Sequence, residues 1–298
     1  MRKYFILIFL FLLTFEHAYA GQKSVLIVQS SKIGPYNEAV EGFKSRCQCT
    51  AKELVLSDAE GLNIFREIRS FQPDVILAVG INALLRLKAI KDVPIVYAMV
   101  SNPESIHLAG ANITGVSMNI APEKQLSLLQ LAFPGLKKIG LLYNPLKSGG
   151  FVEKALASSR DMSIKIIVKE IHHPMDVPLT INSLKDKIDA FWMIPDSTVF
   201  SPETVEYLFL FSFENKIPVL TFSENYLSMG AVMSANIDAR DIGKQAGEMV
   251  AKILSGANVA DIPSVDARKA NVTVNLITAK KIGRPLSNET LSRWKVIN

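Results

Sequence analysis

The chain has 298 residues, of which 49% are hydrophobic and 20% are charged, and its formal net charge is +5 at pH 7. This balance is typical of a globular protein and argues against a disordered chain. The lysine and arginine residues are scattered along the sequence rather than clustered. Scattered basic residues indicate a solvated surface rather than a nucleic-acid-binding face, so we expect no nucleic acid among the partners.

Residues 1–20 have the pattern of a cleaved secretory signal peptide. Arg2 and Lys3 precede the apolar run 4–15, and Ala18-Tyr19-Ala20 forms a small-x-small cleavage site. The run is shorter than the roughly 20 apolar residues that a membrane-spanning helix needs, which argues against a membrane anchor. No cysteine follows the cleavage site, so a lipid anchor is not expected either. The sequence predicts export to the periplasm with the leader removed.

The next part of the chain alternates between apolar strands and helices. Strands are predicted over residues 24–29, 51–56, 74–79 and 94–99, with helices over 35–46, 62–71 and 82–90. The strands are apolar on both faces and each is followed by a helix. This pattern is typical of a parallel sheet that is covered by helices on both sides.

The same alternation returns in the second half of the chain. Strands are predicted over residues 113–118, 138–143, 164–168, 190–194, 218–221 and 231–236, with helices over 122–133, 150–161, 177–187, 202–215 and 239–254. Two such sets predict an α/β protein with two lobes, each built on a doubly wound parallel sheet. Residues 21–298 are long enough for two lobes of roughly 100–150 residues.

The two cysteines, Cys47 and Cys49, are separated by one residue. A disulfide across a single residue would be strained but not impossible, so the sequence favours two free thiols near the end of the first helix and leaves their oxidation state open. Two cysteines without a histidine at ligand spacing do not make a zinc site. The sequence therefore predicts neither a metal nor a cofactor.

Catalytic motifs are absent from the sequence. It contains no G-x-S-x-G, no G-x-x-x-x-G-K-[ST], no H-E-x-x-H and no G-x-G-x-x-G. The adjacent histidines, His172 and His173, precede a proline, which is ordinary for a solvated turn. We predict that the protein is not an enzyme.

Six phrases, in a consistent order and spacing, resemble the ABC-transporter substrate-binding proteins of the aromatic-amino-acid-binding type. They are DVPIVYAMVSNP, GANITGVS, EKQLSLLQLAFPGLKKIGLLYNP, IDAFWMIPDSTV, the stretch from NKIPVLTFSENY to MVAKILSG, and VNLITAKKIG. The resemblance covers nearly the whole chain after the leader. It implies the type I periplasmic-binding-protein fold, in which the chain crosses between the lobes three times.

This resemblance also implies where the lobes divide. The crossings fall near Met118, Asn236 and Lys269. The N-terminal lobe then comprises residues 21–118 plus 237–269, and the C-terminal lobe comprises residues 119–236 plus 270–298.

A protein of this kind captures a small ligand in the cleft between its lobes, which close by a hinge motion. The resemblance implies a monomer that delivers its ligand to the permease of an ABC importer. An alternative is a sensor that presents ligand occupancy to a membrane kinase or cyclase. Both roles use the same cleft, so the sequence leaves them open.

In the first lobe, the candidate ligand-binding residues follow the ends of the predicted strands, where open α/β sheets bind ligands. Ser31 and Tyr36 follow the first strand, Gly80 and Asn82 follow the third, and Asn102 follows the fourth. Asn82 is predicted at a helix N-terminus, which favours an anion such as a carboxylate. A plain helix cap explains Asn82 equally well.

In the second lobe, the sharpest candidate is Asp196, just past a buried strand. The resemblance implies that this aspartate lies near the ammonium group of an amino-acid ligand. Ser201 is the better-placed cap for the helix that follows, which would leave Asp196 free. Ser197, Tyr143 and Glu224 are the further candidates, each at or just past a strand end.

Two positions depart from the pattern that the family shows. Gly80 stands where the family usually has a threonine, and Asn102 stands where it has an aspartate before proline. Both changes make the wall of the first lobe less polar. The sequence therefore predicts a small ligand, with an amino acid as one candidate, and does not identify it.

Overall fold

A computed structural model describes residues 23–58, 63–106, 108 and 110–298 of the chain. The predicted signal peptide, residues 1–20, lies outside the described residues. Among the residues described, no helix combines the length and the apolar character that crossing a membrane requires.

The first part of the described chain alternates between strands and helices, and its strands coincide with the apolar runs to within two residues. Its elements in chain order are β1 (Ser24–Gln29), α1 (Gly34–Lys44), β2 (Thr50–Val55), α2 (Ile64–Phe71), β3 (Val75–Val79), α3 (Ile81–Leu87), β4 (Ile95–Val100), β5 (Ile113–Ile120) and α4 (Pro122–Ala132).

The remaining elements continue this alternation. They are β6 (Lys138–Tyr143), α5 (Pro145–Arg160), β7 (Lys165–Glu170), α6 (Val177–Asn182), β8 (Ala190–Trp192), α7 (Pro202–Glu214), β9 (Val219–Thr221), β10 (Met233–Ile237), α8 (Ala239–Leu254), β11 (Val265–Ala267), β12 (Ala270–Asn275), α9 (Leu276–Lys281), α10 (Asn288–Arg293) and β13 (Lys295–Ile297). The last of them, from β11 to β13, were not predicted from the sequence pattern.

These strands form two sheets, each with the doubly wound order that places the second strand at one edge. The first sheet has the order β2-β1-β3-β4-β5-β11, and the second has the order β7-β6-β8-β9-β10-β12-β13. Strand pairs are parallel except that β12 runs antiparallel to β10. The predicted α/β fold with two parallel-sheet lobes is therefore present, with two strands at one edge of the second sheet, β12 and β13, that run opposite to the others.

The chain passes between the two sheets three times. It leaves the first sheet after β5, returns to it with α8 and β11 after β10, and crosses back between β11 and β12. We refer to the sheet of β1–β5 and β11 as the first lobe, and to the other sheet as the second lobe.

Arg268 lies in the third crossing, between β11 and β12. Its guanidinium donates to Asp241 Oδ2 at 2.8 Å and to Glu248 Oε2 at 2.8 Å, both on α8. Burial would raise the pKa of the Asp241 carboxyl, but Arg268 and Lys269 reverse this effect and hold that pKa below its usual value. The ion pair fixes the last crossing against α8.

Helices α1 and α8 approach so closely that glycine is required where they touch. A Cβ atom on Gly243 would lie 1.8 Å from the Ala39 carbonyl oxygen, and one on Gly42 would lie 2.0 Å from the Arg240 carbonyl oxygen. No side chain fits at either position without moving a helix. This contact fixes α8, which follows the second crossing, on the first lobe.

Cys47 and Cys49 form a disulfide. The prediction of two free thiols was wrong because the chain leaves α1 after Lys44 and turns sharply. The turn brings the two Cα atoms to 5.4 Å, within the range that a disulfide spans.

Candidate ligand-binding site

A cavity of about 180 Å³ lies between the two lobes. We call it the inner chamber. Its walls come from the carboxyl ends of strands in both sheets and from α4 and α5, so neither lobe alone encloses it. Apolar side chains make up most of these walls, including Met118 and Ile120 from β5, Phe151 from α5, and Ile194, Phe222 and Ile237 from the second lobe.

The polar residues of the inner chamber are neutral. They are Ser101, Asn102, Asn119, Gln125 and Ser148, and none of the described residues that line the chamber carries a charged side chain. The Gln125 side chain is held on both sides, because its Oε1 accepts from Trp192 Nε1 at 3.0 Å and its Nε2 donates to the Ile120 carbonyl oxygen at 2.8 Å. The chamber therefore offers an apolar surface with a few fixed amide groups.

A second, more open cavity of about 550 Å³ lies beside the inner chamber. We call it the outer chamber. Ser101, Asn102, Pro195 and Phe222 line both chambers, so the two chambers adjoin each other. Residues found only in the outer chamber include Leu146, Lys147, Asp196, Ser197 and Phe200. Among the described residues that line the two chambers, the charged ones are Lys147 and Asp196, and both line the outer chamber.

Asn102 lies at the junction of the chambers and joins the two lobes. Its φ of 43° is left-handed, a conformation that asparagine tolerates better than most residues. Its Nδ2 donates to the Lys147 carbonyl oxygen at 3.2 Å, across the cleft. Ligand contact by Asn102 stays a prediction.

Asp196 is almost fully buried, and its carboxylate is occupied by its own chain. Oδ2 accepts from the Asn144 N–H at 2.7 Å and from Ser148 Oγ at 2.9 Å. Oδ1 accepts from the Thr198 N–H at 2.9 Å. Strands β6 and β8 are neighbours, so the loop after β8 meets the start of α5, a contact that sequence spacing does not show.

Ser201 caps α7 as expected, since its N–H donates to Thr204 Oγ1 at 2.9 Å. The expectation that this leaves Asp196 free was nevertheless wrong. Asp196 instead ties the β8 loop to α5. A ligand contact by this residue stays a prediction.

Ser197 lies on the exposed rim of the outer chamber. Its Oγ accepts from Lys147 Nζ at 2.8 Å. The hydrogen bond holds the Lys147 ammonium group at the outer chamber.

Gly80 and Tyr36 fit tightly against each other near the ends of β1 and β3. A Cβ on Gly80 would lie 2.7 Å from Tyr36 Oη and 2.6 Å from Ser30 Oγ, and Gly80 has a φ of +87°. The Tyr36 ring thus fills the space that a side chain at position 80 would need, and its burial raises the pKa of the Tyr36 hydroxyl. Neither residue lines the two chambers.

Ser31 and Asn82 also lie outside the two chambers. Gly80, not Asn82, precedes the first residue of α3, so the alternative explanation of Asn82 as a plain helix cap does not hold, and ligand contact by Asn82 stays a prediction. Ser30 instead ties the end of β3 to the first turn of α3, because its Oγ accepts from the Ala83 N–H at 3.0 Å and donates to the Val79 carbonyl oxygen at 3.1 Å. Asn82 is exposed on the first turn of α3.

Tyr143 and Glu224 have partners in their own lobe. Tyr143 Oη donates to Glu170 Oε1 at 3.2 Å, on the neighbouring edge strand. Glu224 accepts from Thr273 Oγ1 at 2.5 Å and from Lys295 Nζ at 2.9 Å. The hydrogen bond from Thr273, together with Lys295, holds the pKa of the Glu224 carboxyl below its usual value. Neither residue lines the chambers, and ligand contact by either remains a prediction.

Sequence reasoning missed most of the inner chamber. Phe151 and Gln125 lie inside helices, where their pattern is that of core residues, and α5 begins at Pro145 rather than at residue 150 as predicted. The earlier start of α5 brings Lys147 and Ser148 to the cleft. The available signal was Asn144-Pro145, an asparagine cap followed by proline at the first helical position.

The family described as ABC transporter substrate binding protein matches residues 48–294, which is most of the chain. The chain belongs to this family. Its members bind substrates and are not enzymes, as predicted. No cluster of three metal-ligating side chains occurs in the described parts of this substrate-binding protein.

Two curated relatives are similar to this substrate-binding protein. A tyrosine-binding protein of Clostridioides difficile is 29% identical over 222 residues, which cover 72% of this chain and 64% of the relative. The matched region thus spans less than two thirds of that relative's length. An uncharacterized protein of Rickettsia prowazekii is 24% identical over 283 residues, covering 92% of this chain and 90% of the relative.

Solved structures confirm the two-lobed fold. A ligand-free, open substrate-binding protein with adhesive properties from Clostridium difficile has a TM-score of 0.71 at 23% identity, over 93% of this chain and 99% of that one. An ABC domain in complex with L-Trp from Streptococcus pneumonia has a TM-score of 0.62 at 20% identity, over 93% of this chain and 100% of that one. At these identities the likeness shows the fold alone.

Proposed function

We propose that this substrate-binding protein is exported to the periplasm, captures a small ligand in the inner chamber and delivers it to the permease of an ABC importer. The observation that carries the proposal is the chamber itself. Its walls come from both lobes, so a ligand bound there is enclosed by lobe closure. A relative named for tyrosine binding, and a structural neighbour in complex with L-Trp, support a small organic ligand.

Export rests on the leader pattern of residues 1–20. We propose that the two predicted lobes, residues 21–118 plus 237–269 and residues 119–236 plus 270–298, move as bodies about the three crossings of a monomer. Ligand should then reduce the radius of gyration in small-angle scattering. An unchanged radius at saturating ligand argues against closure.

Native mass spectrometry of freshly purified protein tests capture directly. We expect a copurified small molecule, and we expect Phe222→Ala to lose it because Phe222 lines both chambers. Phe213→Ala is the matched control, since Phe213 is an exposed aromatic residue outside both chambers. Equal retention of the ligand by the two variants contradicts binding in the chambers.

Delivery is tested by uptake of the identified ligand into cells that carry or lack this gene. We expect uptake to fall when the gene is absent. Unchanged uptake contradicts the importer role and leaves the sensing role, in which a kinase or cyclase responds to the ligand.

A further inference from the structure

Resting on the proposed function, we infer that the ligand is an aromatic carboxylate without an ammonium group. Its ring occupies the inner chamber and its carboxylate pairs with Lys147 in the outer chamber. This class differs from the amino acids that the names of the relatives indicate.

The inner chamber favours a single, uncharged ring. An engineered apolar cavity of about 150 Å³ accepts benzene, and this chamber has about 180 Å³. Phe151 and Phe222 offer aromatic contacts, and Met118 adds a polarizable thioether that packs well against rings. A charged group placed here would lose its hydration without finding an opposite charge, because every described lining residue is neutral.

The outer chamber supplies a cation for the other end of the ligand. Lys147 Nζ donates to the neutral Ser197 hydroxyl at 2.8 Å, which leaves two of its three donors for a carboxylate. Among the described residues, no carboxylate oxygen lies within 4.0 Å of Lys147 Nζ. The positive charge is thus not neutralised by an ion pair within that part of the chain.

An ammonium group finds no accessible carboxylate oxygen in either chamber. The described lining includes one carboxylate, Asp196, which is 4% exposed, and its two oxygens accept hydrogen bonds of 2.7 to 2.9 Å from three neutral groups of its own chain, so they are not open to direct contact with a ligand. Asn102, which lines both chambers, is an uncharged amide. An amino acid would therefore bring a positive charge beside Lys147 with no free partner for it.

The two chambers adjoin each other, so one ligand can place its ring in the inner chamber and its carboxylate in the outer chamber. Asn102 and Phe222 line both cavities, and the Asn102 amide donates to the backbone of Lys147. A ring in the inner chamber therefore directs its substituent towards the Lys147 ammonium group.

Four aromatic probes of similar size differ in whether they carry a carboxylate, an ammonium group, both or neither. They are 3-phenylpropanoate, 2-phenylethylamine, L-phenylalanine and 3-phenylpropan-1-ol. In calorimetric titrations we expect 3-phenylpropanoate to bind tightest, L-phenylalanine and the alcohol about tenfold to a hundredfold more weakly, and the amine not at all. A charge-assisted hydrogen bond accounts for a difference of this size.

The Lys147→Gln variant tests whether the carboxylate of the ligand pairs with the Lys147 ammonium group. The variant should reduce the affinity for 3-phenylpropanoate to that for the alcohol and leave the alcohol unchanged. Lys185→Gln, at an exposed lysine outside the chambers, should change neither. Equal effects of the two substitutions overturn the role of Lys147.

Equal or tighter binding of L-phenylalanine overturns the inference and leaves the proposed function standing. Failure of 3-phenylpropanoate to bind also overturns it, whatever the other probes do. The proposed function is then decided separately by the copurified ligand in native mass spectrometry.

Discussion

Lys154 Nζ lies 2.6 Å from Glu104 Oε1, which joins α5 of the second lobe to the turn after β4 of the first lobe. Glu104 raises the pKa of the Lys154 ammonium above its usual value. Both side chains are about half exposed, so the pair is worth at most about 1 kcal/mol. A contribution of this size is small for folding but matters for an equilibrium between open and closed lobes.

We predict that Lys154→Gln shifts the unliganded protein towards the open form without lowering its melting temperature by more than a degree or so. Small-angle scattering should show a larger radius of gyration for the variant. Lys165→Gln, at an exposed lysine on the edge strand β7, is the control. Because the pKa of Lys154 is raised, the contact is fully present below the ordinary lysine pKa and is lost as pH rises through the raised value. An identical radius in variant and wild type contradicts the prediction.

Arg268→Gln should lower the free energy of unfolding by about 3 kcal/mol. The substitution leaves Asp241, whose side chain is only 4% exposed, with Lys269 at 3.6 Å as its remaining cation. Urea denaturation measures the loss. Arg240→Gln is the matched control on the same helix, because its partner Glu41 is largely exposed and the expected cost is below about 1 kcal/mol.

The Asp241 pair also predicts a dependence on pH. The folded-state pKa of Asp241 is lowered, so its contribution to stability is present above the pKa of an unfolded aspartate and is lost as pH falls through the lowered value. In Arg268→Gln this acid-side loss of stability should be smaller. Parallel stability profiles for wild type and variant below pH 5 would falsify this assignment.

Gly243→Ala should destabilise the protein by about 1–3 kcal/mol, because its Cβ would overlap the Ala39 carbonyl oxygen and force α1 and α8 apart. Gly150→Ala in α5 is the matched control. A Cβ there meets nothing within 4 Å, and alanine favours a helix over glycine by about 1 kcal/mol, so this variant should be more stable. Thermal unfolding that moves both variants in the same direction contradicts the close contact of the two helices.

Asp196→Asn should lower the stability of the unliganded protein by about 1–3 kcal/mol. An amide has one acceptor oxygen and must turn its NH₂ group towards one set of donors, either Asn144 and Ser148 or Thr198. A free, unpaired carboxylate at this position, as the sequence predicts, would instead let the unliganded stability hold or rise. Melting curves decide between the two expectations, with Asp186→Asn at an exposed left-handed position as the control.

The parts of the fold that the sequence predicts well are those with strong local signals. Helix α8 begins after Asp238, whose side chain accepts from the Asp241 N–H, and it ends just before Gly256, so both ends follow from capping residues. Strand β11 has three residues and is partly exposed, and its pairing with β5 depends on contacts about 150 residues apart in sequence. Such a short strand has no distinctive pattern of its own.

The residues of the candidate site also fall into two groups, those that local sequence signals predict and those that they do not. Asn102, Asp196 and Ser197 follow strand ends, and the rule that ligands bind there brings them to the outer chamber. Phe151, Gln125 and other wall residues resemble core positions, because a chamber wall and a core are equally apolar in sequence. Only the packing of one lobe against the other distinguishes them.

The fit of Gly80 against Tyr36 couples substitutions at these two positions. A threonine at position 80 would collide with the Tyr36 ring and with Ser30, and would also need a strained backbone. A smaller residue at position 36 would remove the contact with the ring, and on its own it would leave a void beside Gly80. We therefore expect the stability effects of substitutions at positions 36 and 80 to be non-additive.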